Sequence, residues 1–595
     1  MKPSRSSKIS SQQPGESIKG RVRLLRIPPP VRPARRLLKA LLPLLLILSW
    51  CRPGHDLAAG ESMPRVSPLR VKTAIPSRAE TSVDGLVRRL YQQRNHTPLW
   101  LTPQGPDSRA EMLLNVLIDA RHEGLFPADY QVDTILGLWH RPGIREQSRL
   151  DYLLTRGLTL YLLQSRRGRI SSCGEGRGSR QLAHSFQAKE DFALLSQAVE
   201  EKALRSFLLS QQPNHPQYPL LRQALQRYRR LALAGDWPTL AHGPLIRPGM
   251  YDQRLVQVHR RLRLDQAPLL SPLPHNRYTP ALESAIKRFQ QRFNLEADGI
   301  IGQATIKALN IPARQLIRQI LLNMERLRWL PQRLKGPRVV VNIAGFRLTA
   351  LDGTRVALEM PVIVGTTVNK TPTFNDSLRY LVFNPYWNIP DSIAANEILP
   401  SQLKDPNYLE ENNIRVFADW DHQATPIPPE AIDWQQLGSK IRAYRFRQEP
   451  GPDNALGQLK FIFPNRHHIY LHDTPATKLF SLHRRSFSHG CIRVAAPRQL
   501  ALFLLEQRGP GWDLDRIDQL IQDGQRTVIS LGTPIPIHIT YSTVVVDPEN
   551  DETFFYQDIY GLDQQLANHL FAPAERRLCR SQDAPATLSA SLPGL

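Results

Sequence analysis

Cysteine is scarce in this chain: Cys51, Cys173, Cys491 and Cys579 are the four among 595 residues. Four is too few for a disulfide scaffold. If Cys51 leaves with an N-terminal segment, Cys173 and Cys579 are either a pair or two unrelated thiols. Long hydrophobic runs are missing as well. The uncharged stretch from Leu41 to Trp50 covers about ten residues, short for a bilayer crossing but the length of a signal-peptide core. Acidic side chains are the minority, 53 against 77 Lys and Arg, for a formal net charge of +24. That excess suits an anionic setting such as a membrane surface or a cell-wall polymer. Nucleic acid is the rival partner, but the sequence has no zinc-finger spacing, no RNP-type aromatic motif and no helix-turn-helix with a basic recognition face. Histidines at metal-ligand spacing are also wanting. His96, His122, His140 and His184 are scattered, and His467-His468 has no Cys or carboxylate at zinc spacing. No metal and no cofactor is expected.

What is present divides the chain. At 41% hydrophobic and 22% charged it is ordinary globular material, long enough for about three to four domains. Residues 1–36 carry Lys2, Arg5, Lys8, Lys19, Arg21, Arg23, Arg26, Arg32, Arg35 and Arg36 against Glu16, and read as a disordered basic extension. Residues 37–51 read as a signal-peptide-like apolar segment, with faint twin-arginine (Arg35-Arg36) and lipoprotein-box (Leu48-Ser49-Trp50-Cys51) features. Residues 52–78, with Pro53, Gly54, Gly60, Pro64, Pro68 and Pro76, read as a linker.

From 79 to 248 the period is helical. Ser108-Arg109-Ala110-Glu111 is a capping box, and Ala110, Leu113, Leu114 and Leu117 mark one buried face. A second helical run covers Asp151 to Leu163. Residues 249–310 hold an apolar stripe, Leu282, Ile286, Phe289 and Phe293, then the turn Asp298-Gly299-Ile300-Ile301-Gly302 and a further helix. Here Phe289 and Phe293 read as core rather than as a ligand platform. Residues 311–337 are a connecting helix ending near Pro331.

From 338 to 545 the period changes to strands: a hairpin over Arg338–Leu348, then Met360–Val364, Tyr380–Phe383, Lys460–Phe463, Ile469–His472, Val528–Leu531 and Pro536–Thr540, with one clear helix, Pro497–Gln507. The Pro-rich stretch 391–457 is long for a loop in such a domain and reads as a lid or inserted subdomain. Residues 546–595 are a C-terminal segment whose end, from 580, reads as disordered.

Chemistry concentrates in two short stretches, Ile469-Tyr470-Leu471-His472-Asp473 and Ser486-Phe487-Ser488-His489-Gly490-Cys491-Ile492-Arg493. A thiol attacks as thiolate and needs a base or cation beside it, which a histidine supplies near neutral pH. A lone Cys is usually an inert core residue, and a lone His beside a strand is usually structural. The joint pattern argues otherwise, with Cys491 following His472 by 19 residues.

These segments resemble the catalytic signature of the L,D-transpeptidase family, a His-bearing strand followed by a Ser-His-Gly-Cys turn. Phe289-Gln290-Gln291-Arg292-Phe293 with Asp298 to Gly302 resembles a small peptidoglycan-binding module. Tyr91, Trp100, Glu123-Gly124-Leu125 and Asp129-Tyr130 resemble the helical scaffold of the larger Gram-negative members. Lys370-Thr371-Pro372-Thr373-Phe374 and Asn384 to Pro390 are similar to further family motifs.

The resemblance implies a multidomain α+β protein: a mostly β-sandwich catalytic domain preceded by an α-helical scaffold and a three-helix module. It implies Cys491 as nucleophile and His472 as proton acceptor and donor, oriented by the backbone carbonyl of Asp473, whose side chain has no assigned part. Gly490 and Cys491 N–H groups are the expected oxyanion donors. Ser488, His489, Arg493, Tyr386 and Trp387 are the expected substrate contacts, Arg493 because its fork suits a stem carboxylate. For Tyr386 and Trp387 a core role is about equally expected, and His489 is a second candidate for the base. The insertion 391–457 is expected to cover the cleft and select the acceptor strand. The implied reaction is formation of 3-3 peptidoglycan cross-links through a cysteinyl thioester, with release of terminal D-alanine. L,D-carboxypeptidase chemistry by the same pair and a non-catalytic wall-binding role stay open. The implied partners are stem peptides and glycan, with the inner-membrane surface as a further contact. The implied location is the periplasm, reached by a signal peptide or held at the inner membrane.

Overall fold

A computed structural model describes residues 82–572 apart from 142, 171–187, 266–274, 331–335 and 420–423. The basic extension, the apolar segment, the linker, Cys51, Cys173, Cys579 and the tail from 580 lie outside the described residues. Among the described residues no helix is long and apolar enough to cross a membrane.

The first core is helical. α1 (Val83–Gln93) is followed by the hairpin β1 (Leu101–Thr102) and β2 (Gly105–Pro106), then α2 (Ser108–Asp119), α3 (Val132–Leu138), α4 (Ile144–Arg167), α5 (Ala188–Glu200) and α6 (Leu204–Ser210). α2 is capped by Asp107, not by Ser108: the Asp107 carboxylate accepts from Ala110 N–H at 2.8 Å. A carboxylate at this position also suits the positive end of the helix dipole. The stripe Ala110, Leu113, Leu114 and Leu117 is buried. Asp151 of α4, fully buried, holds the chain before β1 by accepting from Leu99 N–H (3.0 Å), Trp100 N–H (2.8 Å) and the Tyr91 hydroxyl (2.5 Å).

A second core joins α7 (Gln217–Leu233), α8 (Arg254–Leu264), α9 (Pro280–Arg292), α10 (Gln303–Leu309) and α11 (Ala313–Arg328). α7 therefore packs with the elements that follow it rather than with α1 to α6. Phe289 and Phe293 are buried and stacked at 4.4 Å. Gln290 clamps the following turn, donating to Asp298 Oδ1 at 2.8 Å and accepting from Gly299 N–H at 2.9 Å. Beneath it Asp265 meets Arg261 (2.8 Å, an ion contact rather than an aligned hydrogen bond), Arg292 (3.3 Å) and the Tyr228 hydroxyl (2.6 Å), all buried.

The β-rich domain consists of β3 (Pro337–Asn342), β4 (Arg347–Asp352), β5 (Arg355–Gly365), β6 (Phe374–Phe383), an insertion, β10 (Leu459–Ile462), β11 (Leu471–His472), β12 (Ser486–Ser488), β13 (Ile492–Val494), α16 (Pro497–Glu506), α17 (Leu514–Gln522) and β14 (Thr527–Thr540). The strand order is β12-β5-β13-β11-β10-β6-β14-β3-β4. β4 also pairs with the first half of β5, whose second half pairs with β13. Through β5 the sheet thus curls back on itself, with β12 left as its end strand. Its core takes in Leu500, Leu504, Ile517 and Ile521 from α16 and α17.

The insertion has its own sheet, β7 (Trp387–Ile389), β8 (Ile414–Phe417) and β9 (Arg445–Gln448) in the order β7-β9-β8. α12 (Asp391–Ile393) runs through a π turn, Ala394–Ile398, into α13 (Leu399–Lys404), followed by α14 (Tyr408–Glu411) and α15 (Trp434–Leu437). Ile389, Ile393, Leu409, Val416 and Phe446 form a core separate from that of the large sheet.

After β14 the chain returns to the helices. β15 (Val544–Val546) pairs with β16 (Thr553–Phe555), and α18 (Leu562–Leu570) follows. Val544, Val546, Phe555 and Leu570 belong to the second helical core, and Phe555 stacks on Phe293 at 5.4 Å. Within the C-terminal segment only Thr553–Phe555 is extended in a ladder, paired with β15 outside the large sheet.

Candidate functional site

Three adjacent strands gather five polar side chains on one face. β11 pairs with β10 in antiparallel register (Lys460↔His472) and with β13 in parallel register (Leu471↔Ile492, His472↔Arg493). Strand alternation turns Phe461, Leu471 and Ile492, all fully buried, into the core. It leaves Lys460, Tyr470, His472, Cys491 and Arg493 on the opposite face.

His472 is 4% exposed, and its Nδ1 lies 2.6 Å from the carbonyl oxygen of Asp473. A carbonyl can only accept, so Nδ1 carries the proton and Nε2 is left as the basic nitrogen. Burial, then the Arg493 guanidinium, lower the imidazole pKa to about 3 against the pull of the Asp473 and Leu456 carbonyls. The Asp473 side chain is not idle: it accepts from Gln458 N–H at 2.9 Å and from Thr474 N–H at 2.7 Å. Gly457, at φ +60°, lies beneath it, where a Cβ would come within 2.4 Å of the carboxylate.

The turn that carries the thiol is held by hydrogen bonds on both sides of Gly490. Gly490, at φ +116°, donates its N–H to Ser488 Oγ at 3.1 Å, and Ser488 Oγ donates to the Cys491 carbonyl at 2.5 Å. The Gly490 carbonyl accepts from Thr371 Oγ1 at 2.8 Å, and Ile492 N–H donates to the Tyr470 carbonyl at 3.1 Å. Among the described residues, Cys491 N–H is left without a partner, beside its own sulfur. The thiol points to the His468 carbonyl at 3.8 Å, and the Tyr470 side chain acts on it electrostatically. Lys460 Nζ sits 3.8 Å from the Tyr470 ring centroid.

Burial pushes the Cys491 thiol up, and the Tyr470 hydrogen bonds, Lys460 and Arg493 pull it back only in part. With the imidazole held low and the thiol high, the resting pair is neutral rather than a thiolate–imidazolium pair. Alkylation of Cys491 by iodoacetamide is therefore expected to accelerate about tenfold per pH unit between pH 6 and 8, since thiolate is the reacting form. Rates measured across that range would refute the neutral pair if they levelled off below pH 7.

The other expected site residues divide. Arg493 lies on the reactive face, burial lowers its pKa, its Nε is buried without a partner, and its guanidinium makes no hydrogen bond among the described residues. That leaves a guanidinium suited to an incoming carboxylate. Two of them are engaged within the turn itself. Ser488 is buried, and its hydroxyl bonds the turn's own backbone on both sides. Gly490 N–H is taken by Ser488, so of the two expected oxyanion donors Cys491 N–H alone is available. His489 is half-exposed and pairs through Nε2 with Glu397 of the insertion's π turn at 2.8 Å. Tyr386 and Trp387 are not brought against Cys491 or His472 by any contact among the described residues. Trp387 starts the insertion's sheet and packs on its core, and Tyr386 lies under Arg447 at 4.5 Å.

Tyr470 and Lys460 were not singled out from sequence. Tyr470 carried a usable signal, since residues i and i+2 of a strand share a face and Tyr470 precedes His472 by that step. Lys460 carried none, because its place depends on which distant strand pairs with β11.

Three parts of the chain match known family models. Residues 336–537 match the family model described as YkuD, "L,D-transpeptidase catalytic domain". Residues 85–225 match "Scaffold domain" and residues 261–309 "Putative peptidoglycan binding domain". A Haemophilus influenzae protein named "Putative L,D-transpeptidase" is 35% identical over 251 residues, 42% of this chain and 49% of that protein. The match thus spans about half the length of that curated relative. Two solved structures are similar at 13% identity. An L,D-transpeptidase from Mycobacterium smegmatis covers 34% of this chain and 58% of its own (TM-score 0.17). One from Xylanimonas cellulosilytica covers 50% and 99% (TM-score 0.15).

Proposed function

Since residues 336–537 of this chain match the L,D-transpeptidase catalytic domain, we infer that the protein is a cysteine L,D-transpeptidase acting on peptidoglycan stem peptides. The observation that carries this reading is Cys491 N–H, unpartnered among the described residues beside the thiol, while Gly490 N–H and the Gly490 and Cys491 carbonyls are each held. An unpaired amide at such a place is a ready donor to an oxyanion.

In this reading His472 Nε2 takes the thiol proton and Cys491 Sγ attacks the carbonyl of the third stem residue. The oxyanion forms against Cys491 N–H, with the Tyr470 hydroxyl and the Lys460 and Arg493 cations near the sulfur favouring the negative charge. The C–N bond to terminal D-alanine then breaks, the amine leaves with the proton from His472, and a thioester remains. An amine from a second stem loses a proton to His472 and attacks the thioester. Cys491 departs as thiolate, giving a 3-3 cross-link. Arg493 receives a carboxylate of the stem, the insertion covers the cleft and selects the acceptor, and the segment matched at 261–309 docks on the wall polymer. In this reading a peptidoglycan substrate calls for a location outside the cytoplasm, the periplasm, with residues 37–51 as export signal or inner-membrane anchor.

The test is mass spectrometry of the protein incubated with purified disaccharide-tetrapeptide, alongside Cys491→Ala. Cross-linked dimers and free D-alanine, both absent with the variant, are expected. Tripeptide without dimers would replace transpeptidation by L,D-carboxypeptidation. Unchanged tetrapeptide with folded protein would leave only a wall-binding role.

A further inference from the structure

Resting on the reading of Cys491 as nucleophile and its N–H as oxyanion donor, we propose that Thr371 is a positioning residue that aims this N–H, with Tyr560 holding Thr371 in place. The argument is geometric. The Gly490 carbonyl and the Cys491 N–H belong to one peptide unit, which is planar and trans, so the two groups point in opposite directions. Fixing one fixes the other. Gly490 has the freedom to let this plane swing, since at φ +116° it occupies a region that glycine enters without strain. Something outside the turn has to choose the orientation.

Thr371 does so from behind. Its Oγ1 accepts from Gly365 N–H at 2.9 Å, which directs its own hydrogen to the Gly490 carbonyl at 2.8 Å. The residue is 2% exposed, so water does not substitute readily for this bond. Thr371 is held in turn by Tyr560, 4% exposed, whose hydroxyl donates to the Gly365 carbonyl at 2.6 Å and accepts from Thr371 N–H at 3.3 Å. Lys370 Nζ donates to the Tyr560 carbonyl at 2.9 Å, and Tyr560 N–H donates to the Tyr541 hydroxyl at 3.0 Å. A chain of hydrogen bonds therefore runs from the segment after β14, through the loop after β5, to the back of the peptide that faces the substrate oxygen. Thr371 touches neither thiol nor substrate and acts only through the plane it orients.

Two reactions of the same sulfur separate this role from general support. Acylation by disaccharide-tetrapeptide develops an oxyanion, whereas alkylation by iodoacetamide is a displacement at carbon with none. Thr371→Val keeps the side-chain shape and removes the hydroxyl. It is expected to lower kcat for D-alanine release about 10²-fold, the scale of losing one oxyanion donor, with KM little changed and the alkylation rate within about twofold of wild type. Thr371→Ser, which keeps the donor, is expected to restore most of kcat, and Tyr560→Phe to lower it less than Thr371→Val does. Equal losses in acylation and alkylation would make Thr371 a support of the whole turn and overturn the proposal, as would wild-type acylation by Thr371→Val. A wild-type protein that is alkylated but never releases D-alanine would remove the functional reading, and this inference with it. Thr371→Ser remaining as slow as Thr371→Val, at unchanged melting temperature, would exclude the hydroxyl as the cause.

Discussion

Replacing His472 by alanine is expected to lower kcat/KM for D-alanine release by about 10² to 10⁴-fold, the contribution of a positioned general base. Replacement of His489 by serine is expected to leave most of the rate. His472 sits on the reactive face of β11, buried, with one tautomer selected by the Asp473 carbonyl at 2.6 Å. His489 lies in the turn before the thiol, half-exposed, and its Nε2 already holds Glu397 at 2.8 Å. Burial and the Arg493 guanidinium keep the His472 ring neutral across the physiological range, which leaves Nε2 free to accept a proton. Steady-state kinetics of both variants decide the assignment: turnover retained by His472→Ala and lost by His489→Ser would exchange the two roles.

Asp265→Asn is expected to destabilise the second helical core by about 3 to 5 kcal/mol, the usual cost of leaving buried charges uncompensated. Two guanidiniums, Arg261 and Arg292, converge on this carboxylate, and each is almost wholly excluded from water. Burial alone would raise the Asp265 carboxyl, but Arg292 and Arg261 more than reverse this and hold it at about 2. An unfolded aspartate titrates near about 3.9. A folded value below the unfolded one means stability fully present above about pH 4 and lost as pH falls towards 2, by about 2 to 3 kcal/mol for this group. Thermal unfolding followed by circular dichroism at pH 7 and between pH 4 and 2 should show the lower melting temperature of Asp265→Asn. It should also show a weaker acid dependence in the variant. Identical melting curves for the two proteins at pH 7 would mean that the cluster contributes nothing net.

The residues most legible in the sequence were those whose signal is local. The His472 strand and the Cys491 turn lie within one short span, and the stripe of α9 follows a helical period, so each could be read without knowing its neighbours. β14 was legible only as two strands, 528–531 and 536–540, because Gly532 and Pro534 interrupt the run. The ladder in fact continues, its register slipping between Ser530 and Ile535 while Gly532 takes φ +72°. α17 was passed over although Asp513 caps it and Leu514, Ile517 and Ile521 follow at helical spacing. The roles of Ser488 and Gly490 could not be assigned from residue type alone. A serine beside a nucleophile suits substrate and turn equally well, and its hydrogen bonds with Gly490 N–H and the Cys491 carbonyl appear only in the folded chain. Lys460 and Thr371 reach the site from other strands and loops, through pairings that no local pattern encodes.

The return of the chain after β14 has a consequence for how the molecule is assembled and dissected. Val544, Val546, Phe555 and Leu570 complete a core whose other members, from α7 to α11, precede the large sheet. Those helices emerge from the ribosome with one side of their core unfilled, and it stays unfilled until the whole β-rich domain has been made. Folding of the helical body is therefore tied to completion of the sheet, although N-terminal domains ordinarily fold first during synthesis. The same lacing governs where the chain can be cut. A fragment ending at residue 537, the limit of the catalytic-domain match, stops inside β14 and loses Tyr560. It would keep the nucleophile while releasing the hydrogen bonds that hold Thr371 against the turn.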